Sequence, residues 1–397
     1  MPPKKKSDTT ESTEAAATSG TEAKAAPPAV RLSKGKDAKA QLGALLANEY
    51  MAGALKVYGK SSLIEGAEVK ARKTKRIPTG IFALDLALNG GWAVGGIHTL
   101  TGHKSASKTT TLYRTLGEAQ KKCANCWDEL AACKCGDTRE PVIAYLDVEG
   151  ALDAAWACRF LDLDKILVST PEHAEQAIGI SEALLRSKKC DIIVIDSIAF
   201  MVTSKEITED VGKDLVGDQA RRLGKGVRKF IAALNEAMSS DGKRPTLFFT
   251  NQIRMKVGVM FGNPETTPGG LAPGFAAWTE VRMKPAKYKM DDNGELALYG
   301  DFGFNVEKAK NSVPRTSYDY RVMLVDTETK KLGDIYDEDF ILAHAERHGI
   351  VTGGGASWKC LEESFRKKTE IEERLVADKA FRKRVTEALL AATLPTL

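Results

Sequence analysis

Residues 102–109 read GHKSASKT and follow a short apolar run. They match the phosphate-binding loop G-x-x-x-x-G-K-[ST] except at its second glycine, where this chain has Ser107. In such a loop, backbone N–H groups and a helix N-terminus bind phosphate oxygens, a lysine binds the terminal phosphates and a hydroxyl binds Mg²⁺. We expect Lys108 and Thr109 to do this. Taken alone, the match could also be an accidental turn.

Two further apolar runs end in carboxylates. Residues 192–196 read IIVID and end at Asp196, and residues 145–149 read YLDVE and end at Glu149. A carboxylate at a strand end can reach the Mg²⁺ shell, and a nearby glutamate can act as general base for an attacking water. Either acid alone could instead cap a helix. Two of them behind a phosphate loop favour the catalytic interpretation.

Residues 251–270 combine charge, glycine and apolar side chains in one predicted loop. Arg254 and Lys256 supply positive charge, and glycines such as Gly258 allow the backbone to approach DNA closely. Val257 and Phe261 could act as wedges between bases or as contacts between subunits. The alternative is a partly buried loop without a ligand.

Four cysteines, Cys123, Cys126, Cys133 and Cys135, have the spacing C-x₂-C-x₆-C-x-C. Four thiolates this close can converge on Zn²⁺. Two disulfides would need an oxidising compartment, which the odd count of 7 cysteines argues against. The sequence therefore predicts a zinc site rather than disulfides or free thiols.

The segments that must position these residues alternate between strand and helix patterns. Apolar runs at 97–101, 142–147, 166–169, 191–196 and 246–251 predict parallel strands buried on both faces, hence an α/β doubly wound sheet. Two later strands are predicted at 276–283 and 303–308. Residues 1–36 are predicted to be a disordered tail, 37–58 a helix followed by a linker to 76, 77–330 the core, and 331–397 a small, mostly helical lobe.

Composition excludes two classes of protein. The chain has 397 residues and no apolar run of the ~18 residues that a membrane span needs. Its N-terminus lacks the apolar region of a secretory signal, so we expect a cytoplasmic protein with no membrane partner. The net charge of +5 is mild, so any nucleic-acid surface must be local.

The segment NQIRMKVGVMFGNPETTPGG at 251–270 resembles the second DNA-binding loop of bacterial RecA recombinases. Further matching segments are TG at 79–80, LD at 84–85, GALD at 150–153 and KAK at 308–310. The resemblance extends from about residue 79 to 330. It implies a RecA-like P-loop ATPase core with a central, mostly parallel twisted sheet, an N-terminal helix that docks on the next subunit and a small C-terminal lobe.

The resemblance also implies roles for individual residues. Asp153 and Trp156 would frame the adenine, and Gln252 would sense the γ-phosphate. Phe275 would lie at the subunit interface, and two lysines would reach the neighbouring subunit's nucleotide. The predicted catalytic residues are Glu149, Lys108, Gln252, Lys308 and Lys310. The predicted nucleotide-binding residues are Gly102, Lys104, Ser105, Ala106, Ser107, Lys108, Thr109, Thr110, Asp153, Trp156 and Asp196, with Thr109 on Mg²⁺.

Two DNA loops are implied, at 205–217 and 253–271, and the cysteine insert spans 121–137. The predicted DNA-binding residues are Val216, Arg221, Arg228, Arg254, Lys256, Val257, Gly258, Thr266, Gly269 and Gly270.

The predicted function is that of an ATP-dependent DNA recombinase with ATP, Mg²⁺ and structural Zn²⁺ as cofactors. It would form helical homo-oligomeric filaments on single-stranded DNA, pair them with homologous double-stranded DNA and catalyse strand exchange as a DNA-dependent ATPase. Ser107 motivates an alternative, a DNA-binding filament protein with weak or absent ATP hydrolysis. The cysteine insert and the altered phosphate loop predict a phage origin, with a host bacterial enzyme as the alternative. The expected compartment is the cytoplasm of a bacterial or phage-infected host cell.

Overall fold

The computed structural model describes residues 40, 43–45, 47–58, 74–209, 217–241, 243–255, 262 and 264–393. The chain divides into two units, Met1–Leu63 and Ile64–Leu397. In the first unit, helix α1 (Glu49–Tyr58) begins after Asn48, whose side-chain oxygen accepts the N–H of Tyr50 at 2.9 Å. A helix running unbroken from 37 was expected, but Ala47 and Asn48 form a turn. The predicted tail and most of the linker lie outside the described residues.

The second unit contains the other elements. In chain order they are β1 (Arg76–Ile77), α2 (Phe82–Ala87), β2 (Trp92–Ala93), β3 (Ile97–Gly102), α3 (Lys108–Gln120), β4 (Ile143–Asp147), α4 (Ala154–Ala157), β5 (Ile166–Ser169), α5 (Ala174–Ser187), β6 (Ile192–Asp196), α6 (Ser204–Thr208), α7 (Asp218–Asp241), β7 (Thr246–Gln252), β8 (Arg254–Met255), β9 (Glu265–Thr266), α8 (Ala272–Ala276), β10 (Thr279–Met290), β11 (Ala297–Ala309), β12 (Ser317–Met323), β13 (Ile335–Tyr336), α9 (Glu338–Arg347), β14 (Val351–Gly354), β15 (Ser357–Cys360), β16 (Glu363–Phe365), α10 (Lys368–Ala377) and α11 (Lys379–Thr393).

A nine-stranded sheet organises this unit, in the order β13-β12-β11-β10-β3-β7-β6-β4-β5. In this spatial order, neighbouring strands are parallel in the part that includes β10, β3, β7, β6, β4 and β5. Neighbouring strands are antiparallel in the part that includes β10, β11, β12 and β13. The register pairs Gly102 with Gln252 and Asp147 with Asp196. These residues end their strands, so the parallel arrangement brings them to one edge. The predicted α/β fold with a mostly parallel central sheet is confirmed.

Alternate residues of the central strands enter two different cores. Tyr145 and Phe248 face one core, which α3 covers with Leu112 and Leu116. Phe249 and its alternate neighbours face the other core, which α5 and α7 cover. Burial on both faces explains the continuous apolar runs of these strands.

The structure differs from the expectation at two places. Strand β5 is not buried on both faces, because it is the sheet edge and leaves Leu167 59% and Val168 49% exposed. The C-terminal region contains the antiparallel sheet β14-β15-β16 among its helices, with its own apolar core. Gly353, at a φ of 137°, lies within β14 and pairs with Trp358 of β15. No helix of the described residues is long and apolar enough to cross a membrane.

Gly117 provides a test of how closely α3 packs against the segment that contains Phe160. A Cβ there would lie 1.9 Å from the carbonyl oxygen of Phe160, whereas one at Gly179 on α5 would meet nothing within 4 Å. We expect Gly117→Ala to lower the free energy of unfolding in urea by about 2 kcal/mol or more. Gly179→Ala, the matched control, should raise it by about 0.5–1 kcal/mol. Equal effects of the two substitutions would contradict this packing.

Candidate nucleotide-binding and DNA-binding site

The phosphate loop connects the carboxyl end of β3 to the N-terminus of α3. The Lys108 ammonium donates to the carbonyl oxygens of Gly102 at 3.1 Å and His103 at 2.8 Å. Burial lowers the pKa of Lys108, and the carboxylates of Asp196 and Glu149 oppose that shift. Lys104 and Ser105 are exposed at the tip, whereas Ala106 is buried beneath it. The loop therefore holds its lysine beside the helix N-terminus, where terminal phosphates would bind.

Ser107 occupies a backbone conformation that favours glycine. Its φ is 61° and its ψ is 21°, in the left-handed region, at the residue before α3. A Cβ in that region has a steric cost that glycine avoids. The carbonyl of Ser107 accepts the Thr111 hydroxyl at 2.7 Å. Burial raises the pKa of Tyr320, and the side chains of Ser107 and Thr111 beside it oppose that rise.

Asp196 is a buried carboxylate that accepts hydrogen bonds from three hydroxyls. Thr109 Oγ1 donates to Oδ2 at 2.7 Å and Tyr145 Oη donates to the same oxygen at 2.6 Å, while Thr250 Oγ1 donates to Oδ1. Burial, followed by the charge of Asp196, raises the pKa of Tyr145, so its hydroxyl stays a donor. The pair of Thr109 and Asp196 presents the hydroxyl and carboxylate oxygens that Mg²⁺ prefers.

Glu149 lies in the turn after β4 and contacts two polar side chains. Its Oε1 accepts from Ser197 Oγ at 3.0 Å and from Gln252 Nε2 at 3.2 Å. Asp147 holds that turn by accepting the N–H groups of Ala151 at 3.2 Å and Leu152 at 2.9 Å. Partial burial raises the pKa of Glu149, and the hydrogen bond from Ser197 lowers it.

The predicted adenine-framing residues lie together at the N-terminus of α4. Asp153 caps the helix by accepting the N–H of Trp156 at 2.8 Å. The indole Nε1 of Trp156 donates to Thr110 Oγ1 on α3 at 3.2 Å. This contact connects the indole directly to the helix that begins at the phosphate loop.

The second predicted DNA loop is a hairpin whose base is described. Strands β8 and β9 pair antiparallel, with Arg254 opposite Thr266. Glu265 on β9 lies 3.3 Å from His103 of the phosphate loop and also accepts from Arg282 on β10. Gly269 has a φ of 85° and is buried, and a Cβ there would lie 2.5 Å from Leu223 on α7. Gly270 is exposed next to it. Lys256, Val257 and Gly258 lie outside the described residues.

The first predicted DNA loop lies between α6 and α7. Thr203 and Glu206 form a capping box at the start of α6, and Val216 lies outside the described residues. Arg221 and Arg228 are exposed on α7. They are seven residues apart, hence on the same side of the helix and about 10 Å apart along its axis. Asp218 accepts a hydrogen bond from Arg221.

Lys308 lies near the end of β11, separated from β3 by β10. Its ammonium donates to the carbonyl oxygens of Gly274 at 2.7 Å and Phe275 at 2.9 Å on α8. Lys310 follows the end of the strand, and its N–H donates to the carbonyl of Trp278. Within one chain these lysines therefore contact the segment that follows the β8–β9 hairpin.

The four cysteines of the insert converge. The sulfur of Cys123 is 3.6 Å from that of Cys135, and the sulfur of Cys133 is 3.6 Å from that of Cys126 and 3.2 Å from that of Cys135. All four lie within 4.8 Å of one another. These distances exceed a disulfide bond of about 2.05 Å. They approach the ~3.8 Å between sulfurs around a tetrahedral Zn²⁺ with bonds of 2.3 Å.

Sequence reasoning missed the residues that position the predicted ones. Tyr145, Thr250 and Ser197 donate to the two carboxylates, and Glu265 connects the hairpin to the phosphate loop. Tyr145 precedes Asp147 by two residues on one strand. That spacing was the only signal in the sequence that Tyr145 faces the same side of the sheet as Asp147.

Replacing Ser107 tests the strain of the phosphate loop. Ser107→Gly should raise the free energy of unfolding by about 1 kcal/mol and leave ATP hydrolysis unchanged or faster, because glycine accepts a positive φ. Ser107→Ala, which keeps the Cβ and loses the hydroxyl, is the control and should show no gain. If Ser107→Gly loses nucleotide affinity, the hydroxyl is a contact on which the loop depends.

Replacing Ser197 tests the tuning of Glu149. If Glu149 is the general base, as the sequence predicts, it acts when deprotonated, and its raised pKa places the acid limb of the pH–rate profile above that of an ordinary glutamate. Ser197→Ala removes a hydrogen bond that lowers the pKa, and the limb should move to higher pH. Ser187→Ala, at the exposed end of α5, should leave the profile of ATP hydrolysis unchanged. An unmoved limb in Ser197→Ala would show that this hydrogen bond does not tune the base.

Comparison with known proteins places this geometry in a family. The RecA N-terminal domain model matches residues 47–327. Protein RecA of Oceanobacillus iheyensis is 36% identical over 284 residues, covering 71% of this chain and 74% of that protein. Protein RecA of Bacillus thuringiensis is 34% identical over 310 residues, covering 78% and 81%. The chain therefore belongs to the RecA family of ATP-dependent DNA recombinases, which are DNA-dependent ATPases.

Proposed function

We propose that ATP binds at the phosphate loop and joins neighbouring copies of this chain into a helical filament on single-stranded DNA. The observation that carries this proposal is the meeting of Glu149, Gln252, Thr109 and Asp196 at one edge of the sheet. The filament would hold the strand for homologous pairing and strand exchange.

The phosphate loop and Lys108 bind the phosphate groups of ATP. On binding, Lys108 exchanges the carbonyl oxygens of Gly102 and His103 for oxygens of the terminal phosphates. Thr109 and Asp196 would hold Mg²⁺, which neutralises charge on the phosphates. The indole of Trp156 and the carboxylate of Asp153 frame the base.

Glu149 acts as the general base. Its oxygen already accepts two hydrogen bonds, from Ser197 and Gln252, which orient the carboxylate toward the site. Taking a proton from the attacking water converts the carboxylate to the acid, and its raised pKa favours that transfer. The alternative of weak or absent hydrolysis rests on Ser107 alone and is not favoured, because Glu149 contacts Gln252 and Thr109 contacts Asp196 at the same edge of the sheet as Lys108.

Gln252 connects chemistry to DNA. It ends β7, contacts Glu149 through its side chain and is separated from the hairpin by a single residue, Ile253. A change at the terminal phosphate that moves this amide is therefore passed to Arg254 and to the loop beyond. Arg221, Arg228 and Arg254 supply phosphate contacts to DNA.

The filament interface is supported by exposed apolar residues. Leu271 is 74% and Phe275 73% exposed beside the carbonyl groups that Lys308 binds. Lys308 and Lys310 would reach the nucleotide of the adjoining subunit and stabilise transition-state charge there. Tyr50 and Val57 of the N-terminal segment are 89% and 74% exposed, which suits a helix that docks on another copy.

The cysteine insert would hold one structural Zn²⁺ through four thiolates. The geometry supports this, because the four sulfur atoms lie within 4.8 Å of one another and could bind one ion together. The insert is too short for an apolar core of its own, so the metal would stabilise its fold. The predicted phage origin stays a prediction, since the relatives named above are bacterial.

A mixing experiment tests the shared site. Glu149→Gln keeps an oxygen acceptor for Ser197 and should abolish hydrolysis while DNA-bound filaments persist. Lys308→Ala with Lys310→Ala should keep monomeric ATP binding and lose DNA-stimulated hydrolysis. Mixed filaments of the two variants contain interfaces with both intact groups, so phosphate release should partly return. No recovery despite demonstrated co-assembly would contradict a site shared between subunits.

Metal analysis tests the insert. Protein purified without chelator should contain one Zn²⁺ per chain. Cys126→Ser should lose the metal and lower Tm before it changes nucleotide affinity, whereas Cys158→Ser, an exposed cysteine outside the cluster, should change neither. If wild-type protein without the metal has the same Tm as wild-type protein with it, the assignment is overturned.

A further inference from the structure

A second basic site lies at the edge of the sheet opposite the phosphate loop. A cavity of about 620 Å³ is lined there by Gly95, Cys190 and Pro245, which precede the amino ends of β3, β6 and β7. The phosphate loop lies at the carboxyl end of β3, about 20 Å away along six residues of strand. The cavity is therefore separate from the site of ATP hydrolysis.

The charge lining this cavity is strongly unbalanced. It contains five basic side chains and one acidic one, which are Lys75, Arg139, Lys188, Lys243, Arg244 and Asp191. Asp191 is already engaged, since both its oxygens accept from Arg139 at 2.7 Å. Lys75 contacts Asp128 at 3.4 Å. The argument therefore turns on Lys243 and Arg244, for which no carboxylate partner is found among the described residues.

Arg244 is the most informative of these groups. Its guanidinium lies over the indole of Trp278, 5.0 Å from the ring centroid. Its Nε is buried and has no hydrogen-bond partner among the described residues. Burial lowers its pKa, and no carboxylate among the described residues opposes this. A buried N–H donor without an acceptor is costly, and a ligand oxygen in the cavity would remove that cost.

Lys243, next to it, is held by a neutral acceptor. Its ammonium donates to Asn125 Oδ1 at 2.6 Å, and Asn125 belongs to the cysteine insert. The amide of Asn125 donates in turn to Asp137 Oδ2 at 2.8 Å. The insert therefore forms one wall of the cavity and fixes a lysine beside Arg244 without neutralising its charge.

We propose that this cavity, built between the cysteine insert and the amino edge of the sheet, binds a phosphate group. Arg244 supplies a planar set of donors and Lys243 a point charge, the pair of groups that phosphate oxygens prefer. The volume suits a small phosphorylated ligand or the phosphorylated end of a nucleic-acid strand. A free phosphate compound and a phosphorylated strand end are two sources of the same phosphate group. The inference does not depend on the mechanism of hydrolysis.

Calorimetry tests the free-phosphate source. Full-length protein is saturated with Mg·ADP to fill the phosphate loop and is then titrated with inorganic tripolyphosphate in excess Mg²⁺. Binding should weaken at least tenfold in Arg244→Gln and in Lys243→Gln. Arg186→Gln, which removes an equally charged but carboxylate-paired side chain on α5, should bind as wild type does.

Fluorescence anisotropy tests the nucleic-acid source. A short single-stranded oligonucleotide with a 5′-phosphate is compared with the same oligonucleotide bearing a 5′-hydroxyl. Tighter binding of the phosphorylated strand by wild type, lost in Arg244→Gln, identifies a strand end as ligand. Tripolyphosphate binding with equal affinity for both strands identifies a free phosphate compound.

Two results would overturn the inference. One is the absence of tripolyphosphate binding at millimolar concentration together with equal binding of both strands. The other is unchanged affinity for both probes in Arg244→Gln. Thermal unfolding shows that the variant is folded, and its DNA-stimulated ATP hydrolysis should equal that of wild type. A loss of hydrolysis in a folded Arg244→Gln protein would contradict the separation of the two sites.

Discussion

The buried carboxylate of Asp196 is the constraint on which the site depends. A carboxylate removed from water must be compensated by hydrogen bonds or charge. Here three hydroxyls supply the compensation, from α3, β4 and β7. Each hydroxyl comes from a different element, so the need to satisfy one side chain fixes those elements relative to β6. The positions of the phosphate loop and Gln252 follow from that arrangement.

Parallel strand order supplies the rest of the geometry. Because the strands of a parallel sheet all end at one edge, the loops that follow them lie close together even where they are far apart in sequence. Glu149, Asp196, Gln252 and Lys108 each lie within two or three residues of a strand end or helix start. The opposite edge collects the segments that precede the strands, and there the cysteine insert meets Lys243 and Arg244.

The sequence predicted those parts of the site that are encoded locally. An apolar run followed by an acid, or by a loop of the phosphate-binding type, is readable within ten residues. The hydroxyls of Tyr145 and Thr250 could not be assigned, because their contact with Asp196 depends on register between strands 50 or so residues apart. Strand β12 was missed because its residues are mostly half-exposed and lack an apolar run. The contact of Lys243 with Asn125 joins residues 118 positions apart, and nothing in either segment indicates it.

The contact of Glu265 with His103 has a thermodynamic consequence. One carboxylate at the base of the β8–β9 hairpin contacts both the phosphate loop and Arg282 on β10. If a ligand at the phosphate loop alters this arrangement, it changes the affinity of the hairpin for its own ligand. A ligand at the hairpin then changes the affinity of the phosphate loop by the same factor, since coupling between two binding sites is reciprocal. If the hairpin binds DNA as we propose, a bound strand would be as much an effector of the nucleotide as the nucleotide is of the DNA.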